Sequence, residues 1–167
     1  VCCPLVLTAA PPAQHVVIIS IDGFPAYLLD DPKTPIPNVR RLVRDGVSAA
    51  GMKVINPSVT WPNHTSLVTG VRAEKHGVLA NGILTRHGPL GQVTIEPHHD
   101  QAEMVRAPTL FDIVHAAGQR TAAIVWPCTR NSPSLDDNFY EFVEYTTPRL
   151  LEELRAAGLV GEDPKNF

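Results

Sequence analysis

The segment HVVIISIDG, residues 15–23, most constrains what this chain can fold into. It is an uninterrupted run of mainly β-branched residues that ends in Asp-Gly. Such a run is typical of a strand buried on both faces, and strands of this kind occur mainly in parallel sheets covered by helices. The sequence therefore predicts a strand at the centre of an α/β sheet, followed by a tight turn at Asp22 and Gly23.

Helix and strand patterns alternate after this segment, with Gly and Pro at their ends. For the first helix, Asn38 is the predicted N-cap and Gly46 the predicted stop. The alternation is typical of βαβ units, so the predicted fold class is α/β, with a parallel or mixed sheet flanked by helices. The predicted helices span 36–46, 62–70, 107–118 and 147–158, and the further predicted strands span 47–57 and 120–127.

Composition limits the function classes. At 167 residues, with 44% hydrophobic and 19% charged residues, the chain is expected to form one globular domain. A net charge of −3 gives no general attraction to a nucleic-acid polymer or an anionic membrane, so an anionic substrate needs a local binding device. No repeat and no membrane-spanning run is recognised in the sequence.

The first fourteen residues, VCCPLVLTAAPPAQ, are apolar, then small, then proline-rich. This order is typical of the later part of an export signal, so residues 1–14 are interpreted as a remnant of one and a periplasmic or extracellular location is expected. Cys128 would then be the one cysteine left, and it has no second cysteine at metal spacing, which predicts a packed or loop thiol.

The stretch INPSVTWPNHTSLVTG, residues 55–70, leaves a predicted strand and enters a predicted helix. The carboxyl ends of parallel strands are where α/β sheets bind ligands. Thr60 lies two positions before Pro62, near the first turn of the helix, where exposed N–H groups favour negative charge. A hydroxyl there still needs a base or a metal to become a nucleophile. The alternative for Thr60 is a capping residue.

Two further residues fall at the same predicted sheet edge. Asp22 is a carboxylate directly after a buried strand, suited to a divalent cation, or else the first residue of a turn. Asn81 precedes Gly82 and could donate its amide N–H to a phosphoryl oxygen, or else serve as a left-handed turn residue. Together the three residues would supply metal ligand, nucleophile and oxyanion donor.

Four ordered blocks carry a family resemblance over roughly residues 15–130: VVIISIDGFPAYLL, TPIPNVRRLVRDG, NPSVTWPNHTSLVTGVRAEKHGVLANG and APTLFDIVHAAGQRTAAIVWP. They resemble the front half of the type I phosphodiesterase and nucleotide pyrophosphatase family, within the alkaline phosphatase superfamily. The resemblance implies an alkaline-phosphatase-like fold, two zinc ions and hydrolysis through a phosphorylated threonine. It implies that Asp22 is a zinc ligand, Thr60 the nucleophile and second-metal ligand, and Asn81 the phosphoryl oxygen donor. His64 and His76 carry no ligand role in it.

The resemblance implies further metal ligands from a D-x-x-x-H segment, an Asp-His pair and another His. None of these has a match after Asn81. The PHHD segment at 97–100 is the nearest local cluster, and its spacing is more typical of a solvated loop than of a zinc site. Residues 15–167 are therefore interpreted as the N-terminal part of a catalytic domain, truncated at its C-terminus, and the 167 residues alone are expected to be inactive.

The leading hypothesis is a zinc-dependent hydrolase of phosphate diesters or nucleotide pyrophosphates acting on a small phosphate ester. One alternative is a phosphonate or phosphomonoester hydrolase of the same superfamily, which would use the same front-half residues. The other is a non-catalytic phosphate-binding fragment without metal ligands. Binding of two zinc ions would separate the enzyme from the binding fragment.

Overall fold

The computed structural model of this protein describes residues 15–161, and the chain divides into two units between Met52 and Lys53. The remnant of an export signal predicted at 1–14 lies outside the described residues. Within them, no helix is both long and apolar enough to cross a membrane. The described helices are α1 (Pro37–Asp45), α2 (Thr60–Thr69), α3 (Ala73–His76), α4 (Gln101–Met104), α5 (Leu110–Ala116) and α6 (Pro148–Ala156), with 3-10 turns at Ala26–Leu29 and Val143–Tyr145. The strands are β1 (Ile83–Arg86), β2 (Val93–Glu96), β3 (Ala122–Ile124) and β4 (Asp137–Phe139).

The first unit contains α1, which forms close to where the sequence predicts it. Pro37 occupies the first helical position, where its missing N–H costs nothing and its fixed φ suits a helix. Ile36 is therefore the N-cap, and the prediction of Asn38 as the cap is wrong because Asn38 already lies inside the helix. Gly46 is the C-cap, as predicted, and its N–H donates to the carbonyl of Leu42.

A single arginine holds the turn before α1 in place. The guanidinium of Arg40 donates to the carbonyl oxygens of Leu29 at 2.6 Å, Asp31 at 2.5 Å and Thr34 at 3.2 Å. Three charge-assisted hydrogen bonds to backbone oxygens stabilise a segment that lacks regular structure. Arg40 is thus a structural residue of the first unit.

The two predicted strands at 15–23 and 47–57 are not formed in this structure. All strands of the described residues lie in the second unit, and neither segment pairs with one of them. The β-branched run is exposed, with Val17 79% and Ile19 77% accessible. A strand needs a neighbour to pair its backbone N–H and C=O groups, and a correct hydrophobic pattern does not supply one.

The second unit confirms the mixed α/β class. Among residues 53–161 it contains two small sheets instead of the one continuous sheet that the sequence predicts. Strands β1 and β2 form an antiparallel hairpin in which Leu84 faces Ile95. Strands β3 and β4 are parallel, with Ala123 opposite Asn138. Strand β3 lies inside the segment predicted at 120–127, so that prediction is confirmed.

Helices α5 and α6 also confirm their predictions at 107–118 and 147–158. Thr109 caps α5 in a capping box, because its hydroxyl accepts from the N–H of Asp112 while the Asp112 carboxylate accepts from the N–H of Thr109. Pro148 begins α6 at a position that does not need an N–H.

Two hydrophobic clusters form the core of the second unit. One joins Trp61, Val78, Met104 and Cys128, and the other joins Val68, Ala123, Trp126 and Leu135. Helix α2 contributes to both clusters, so its buried side is anchored along its length. Cys128 is a free, buried thiol, and burial raises its pKa to about 12. The prediction of a packed thiol is confirmed.

Candidate functional site

Helix α2 begins at the hydroxyl residue that the sequence singles out. Val59, in extended conformation, is the N-cap and makes no side-chain cap bond. Thr60 is the first helical residue and is half-buried. The alternative interpretation of Thr60 as the capping residue is therefore wrong. The helix ends at Gly70, which adopts the left-handed conformation with φ 68° and was predicted as the stop.

Asn63 fixes the loop that leads into Thr60. Its Oδ1 accepts from the N–H of Ile55 at 2.8 Å, and its Nδ2 donates to the carbonyl oxygens of Pro57 at 3.1 Å and Val59 at 2.9 Å. One amide side chain thus pairs three backbone groups of a loop that has no regular hydrogen bonding of its own. The path of the chain into Thr60 depends on this contact.

Asn81 is bound to the first turn of α2. Its Oδ1 accepts from the backbone N–H of Trp61 at 2.9 Å. A backbone N–H can only donate, so this contact identifies which end of the amide faces the helix and turns Nδ2 away from it. The structure therefore places Asn81 beside Trp61, the residue that follows Thr60. Thr60 and Asn81 are two of the three residues predicted to act together.

Gly82 allows the backbone conformation that directly follows Asn81. Its φ is +138°, and a Cβ at this position would lie 2.6 Å from the carbonyl oxygen of Glu96. Only glycine fits this conformation and this close approach of β2. The described residues with positive φ include Gly82 but not Asn81, so the alternative of Asn81 as a left-handed turn residue is wrong.

His64 supports the start of the helix from the next turn. Its Nδ1 lies 2.9 Å from the carbonyl oxygen of Thr60, and because a carbonyl can only accept, Nδ1 carries the proton. Its ring packs edge-on against Trp126 with 5.1 Å between ring centroids. These contacts are those of a structural residue.

His76 is fully buried and neutral. Its Nδ1 accepts from the N–H of Val78 at 3.1 Å, so the proton lies on Nε2, which donates to the hydroxyl of Ser66 at 3.0 Å. Burial lowers the pKa of His76 below 6.5. The Ser66 hydroxyl is thereby used in the helix packing. Of the other hydroxyl residues in the stretch 55–70, Ser58 is exposed in the loop before α2.

Asp22 lies in a turn of the first unit, is exposed, and is followed by Gly23 with φ 63°. Its joint action with Thr60 stays a prediction. Within residues 15–161, no group of three or more His, Cys, Asp or Glu side chains could hold a metal ion. Two zinc ions therefore do not fit the described residues alone.

The PHHD segment at 97–100 has structural roles. Asp100 forms a capping box at the start of α4, and its Oδ1 accepts from Arg130 at 2.6 Å and from Asn131 at 2.9 Å. His98 packs against the ring of Phe142, and His99 lies near Glu103. These contacts join the segment to α4, to residues 130 and 131 and to Phe142.

Two contributors to the site, Asn63 and the N–H of Trp61, were not predicted from the sequence. A signal for Asn63 exists, because an amide residue in the first turn of a helix can bond back to the loop before it. The bond to Trp61 joins residues twenty positions apart in the chain, and no local pattern predicts it.

The chain is similar in sequence to known proteins. The family model of type I phosphodiesterase / nucleotide pyrophosphatase matches residues 16–160. Human ectonucleotide pyrophosphatase/phosphodiesterase family member 5 is 28% identical over 177 residues, which cover 94% of this chain and 35% of the relative. The bis(5'-adenosyl)-triphosphatase enpp4 of Xenopus laevis is 42% identical over 65 residues, 39% of this chain and 14% of the relative.

A venom phosphodiesterase of Naja atra is 37% identical over 67 residues, 40% of this chain and 8% of the relative. The matched part of the chain thus spans about a third of the human relative's length and less of the other two. The family match itself runs through both units and contains Asp22, Thr60 and Asn81. This chain belongs to the type I phosphodiesterase / nucleotide pyrophosphatase family.

Proposed function

We propose that this chain supplies the nucleophile and a phosphate-binding group of a hydrolase that acts on phosphate diesters or nucleotide pyrophosphates. Thr60 is the nucleophile and Asn81 the donor to a phosphoryl oxygen. The observation that carries the proposal is the 2.9 Å bond from Trp61 N–H to Asn81 Oδ1, since it holds an amide donor beside the first residue of α2. Family membership over residues 16–160 supports the same chemistry.

The reaction is a double displacement at phosphorus. The Thr60 oxygen forms a bond to phosphorus while the bond to the leaving oxygen breaks, and the Thr60 proton is lost to the medium or to a base. A water oxygen then attacks the same phosphorus, the bond to Thr60 breaks, and the threonine hydroxyl regains a proton. The position of Thr60 at the N-terminus of a ten-residue helix favours the negative charge of this route.

Asn81 acts on the phosphoryl oxygen that gains charge in the transition state. Donation from Trp61 N–H to Oδ1 polarises the amide, so the Nδ2 protons become better donors. The amide is also held before substrate binds, and preorganised donors cost no rearrangement during the reaction. The loss of one donor of this kind costs roughly 100- to 1,000-fold in kcat.

The proposal includes metal binding only by residues of this chain. Asp22 and Thr60 are the proposed ligands, and the zinc ions implied by the family resemblance need further donors than the described residues group together. The tests use a form of the protein extended to the length of its relatives, hereafter the extended form. In this form, Asp22→Asn is expected to lower the zinc content. Unchanged zinc content by elemental analysis would remove Asp22 from the proposal.

The substrate class is a small phosphate ester rather than a nucleic-acid polymer, in line with a net charge of −3. Two of the relatives are named as an ectonucleotide pyrophosphatase/phosphodiesterase and a venom phosphodiesterase, and these names support an extracellular location. Phosphonate or phosphomonoester hydrolysis is the second enzymatic candidate, and a phosphate-binding fragment is the non-catalytic one.

The test compares Thr60→Ala with Ser58→Ala in the extended form, using a chromogenic phosphodiester and added zinc. Ser58 is the matched control because it is an exposed hydroxyl residue two positions earlier. Thr60→Ala is expected to abolish turnover, with circular dichroism unchanged, while Ser58→Ala retains it. Turnover that survives Thr60→Ala would refute the assignment. Higher kcat/KM on a phosphomonoester than on the diester would favour the second candidate.

A further inference from the structure

Three buried polar atoms of the second unit make no hydrogen bond within the described residues. They are Oγ1 of Thr65 on α2, Oε1 of Gln101 on α4, and Nε1 of Trp126 after β3. Their residues are 2%, 6% and 9% accessible, so bulk water does not pair them. Native proteins leave few buried polar atoms unpaired, and three together require an explanation.

All three residues line the same small cavity, with a volume of about 10 Å³. This volume is close to the smallest that holds one water molecule. The two other hydroxyl residues in the lining already have partners. Thr109 bonds to Asp112, and Thr129 donates to the carbonyl oxygen of Trp126. The Cys128 thiol also lines the cavity and is close enough to the Thr65 hydroxyl for that hydroxyl to act on the pKa of the thiol. The buried nitrogen and oxygen atoms without a hydrogen bond to another residue are the three named above.

The donor and acceptor types of these atoms select the occupant. The indole Nε1 of Trp126 can only donate, the amide oxygen of Gln101 can only accept, and the hydroxyl of Thr65 can do either. A cation would face the indole N–H, an anion would face the amide oxygen, and an apolar molecule would leave all three unpaired. Water accepts from the indole, donates to the amide oxygen and bonds to the hydroxyl, and three bonds are typical of buried water.

We propose that one long-lived water molecule occupies this cavity and bridges Thr65, Gln101 and Trp126. The water joins α2, α4 and the segment after β3, which meet there through side chains. It is part of the structure on the buried side of the helix that begins at Thr60. The site is independent of the proposed function, because no residue assigned to catalysis lines the cavity.

The first test uses the unmutated 167-residue chain. The chain has two tryptophans, so its two indole N–H signals can be assigned by nuclear magnetic resonance. We expect a cross-peak between water and the Nε1 proton of Trp126, with the negative sign typical of a water that tumbles with the protein. Absence of this cross-peak, or the sign of a rapidly exchanging water, would overturn the proposal.

The second test counts long-lived waters by oxygen-17 relaxation dispersion. The double variant Thr65→Val, Gln101→Met keeps side-chain size while it removes two of the three partners, so we expect the amplitude to fall by one water molecule. The matched control, Thr85→Val, Gln92→Met, makes the same changes outside the cavity and should keep the parent amplitude. Equal amplitudes in parent and Thr65→Val, Gln101→Met would also overturn the proposal.

Discussion

Asn81 accepts a hydrogen bond from the backbone N–H of Trp61 at 2.9 Å, across twenty positions of sequence. The bond uses one N–H at the start of α2, a donor that would otherwise be available to a bound anion. In return it gives Asn81 a fixed orientation, with Oδ1 toward the helix and Nδ2 away from it. If Asn81 acts as proposed, the first turn of α2 would influence a phosphoryl group through Asn81 as well as through its own dipole.

Asn81→Asp separates these two roles. The carboxylate can still accept from Trp61 N–H, but it has no Nδ2 donor and it repels an anionic phosphoryl group. We expect kcat/KM of the extended form to fall at least about 100-fold, the lower end for a lost oxyanion donor. Asn38→Asp, an exposed Asn on α1, is the control and should retain activity. Comparable kcat/KM in the two variants would show that Asn81 donates nothing to the reaction.

Asn63→Ala tests the loop contact in the 167-residue chain itself. The substitution removes the partner of Ile55 N–H and of two carbonyl oxygens. Water can pair the exposed carbonyl oxygens of Pro57 and Val59 instead, so the expected loss of unfolding free energy is that of an ordinary hydrogen bond, about 0.5–1.5 kcal/mol. We expect faster hydrogen exchange at the Ile55 amide and a lower urea midpoint. Unchanged exchange at Ile55 would mean that other groups hold the loop.

Gly82→Ala tests the close approach of β2 to the residue after Asn81. The new Cβ meets backbone at 2.6 Å in a residue with φ +138°, so the loss of stability is expected to exceed the strain from φ alone, about 1–3 kcal/mol. Gly118→Ala is the matched control, since its φ is +75° and no atom lies within 4 Å of the added carbon. Thermal unfolding should show a larger decrease for Gly82→Ala than for Gly118→Ala. Equal decreases would exclude the steric clash.

Buried His76 predicts a pH dependence of stability. Burial lowers its pKa in the folded state below the ordinary 6.5, so the unfolded chain takes up a proton first as the pH falls. The contribution of neutral His76 to the free energy of unfolding is complete above pH 6.5. It is lost as the pH falls from 6.5 toward the lower pKa of His76 in the folded state. Urea unfolding at pH 7.5 and 5.5 should show this loss. His76→Gln should reduce the difference between the two pH values, whereas His87→Gln, at an exposed hairpin position, should not.

Local chemistry made part of this structure predictable. Helix α2 is predictable from Pro62 and Gly70, because these end signals act within a few residues, and the segments 107–118 and 147–158 are identified as helices from the sequence as well. The run at 15–23 carries the pattern of a buried strand, but strand formation needs a pairing partner that a pattern does not provide. Thr60 and Asn81 were each weak signals, and their proximity depends on one long-range hydrogen bond.

The central claim, that Thr60 is the nucleophile, is tested most directly by trapping the covalent intermediate. The extended form is mixed with a chromogenic phosphodiester, quenched in acid within a turnover, digested and examined by mass spectrometry. The account predicts a phosphoryl ester adduct on Thr60 in the peptide that also contains Ser58 and Ser66, with fragment ions assigning the site, and no adduct in Thr60→Ala. An adduct on Ser58 or Ser66, or an active enzyme in which Thr60→Ala still forms the adduct, would contradict it.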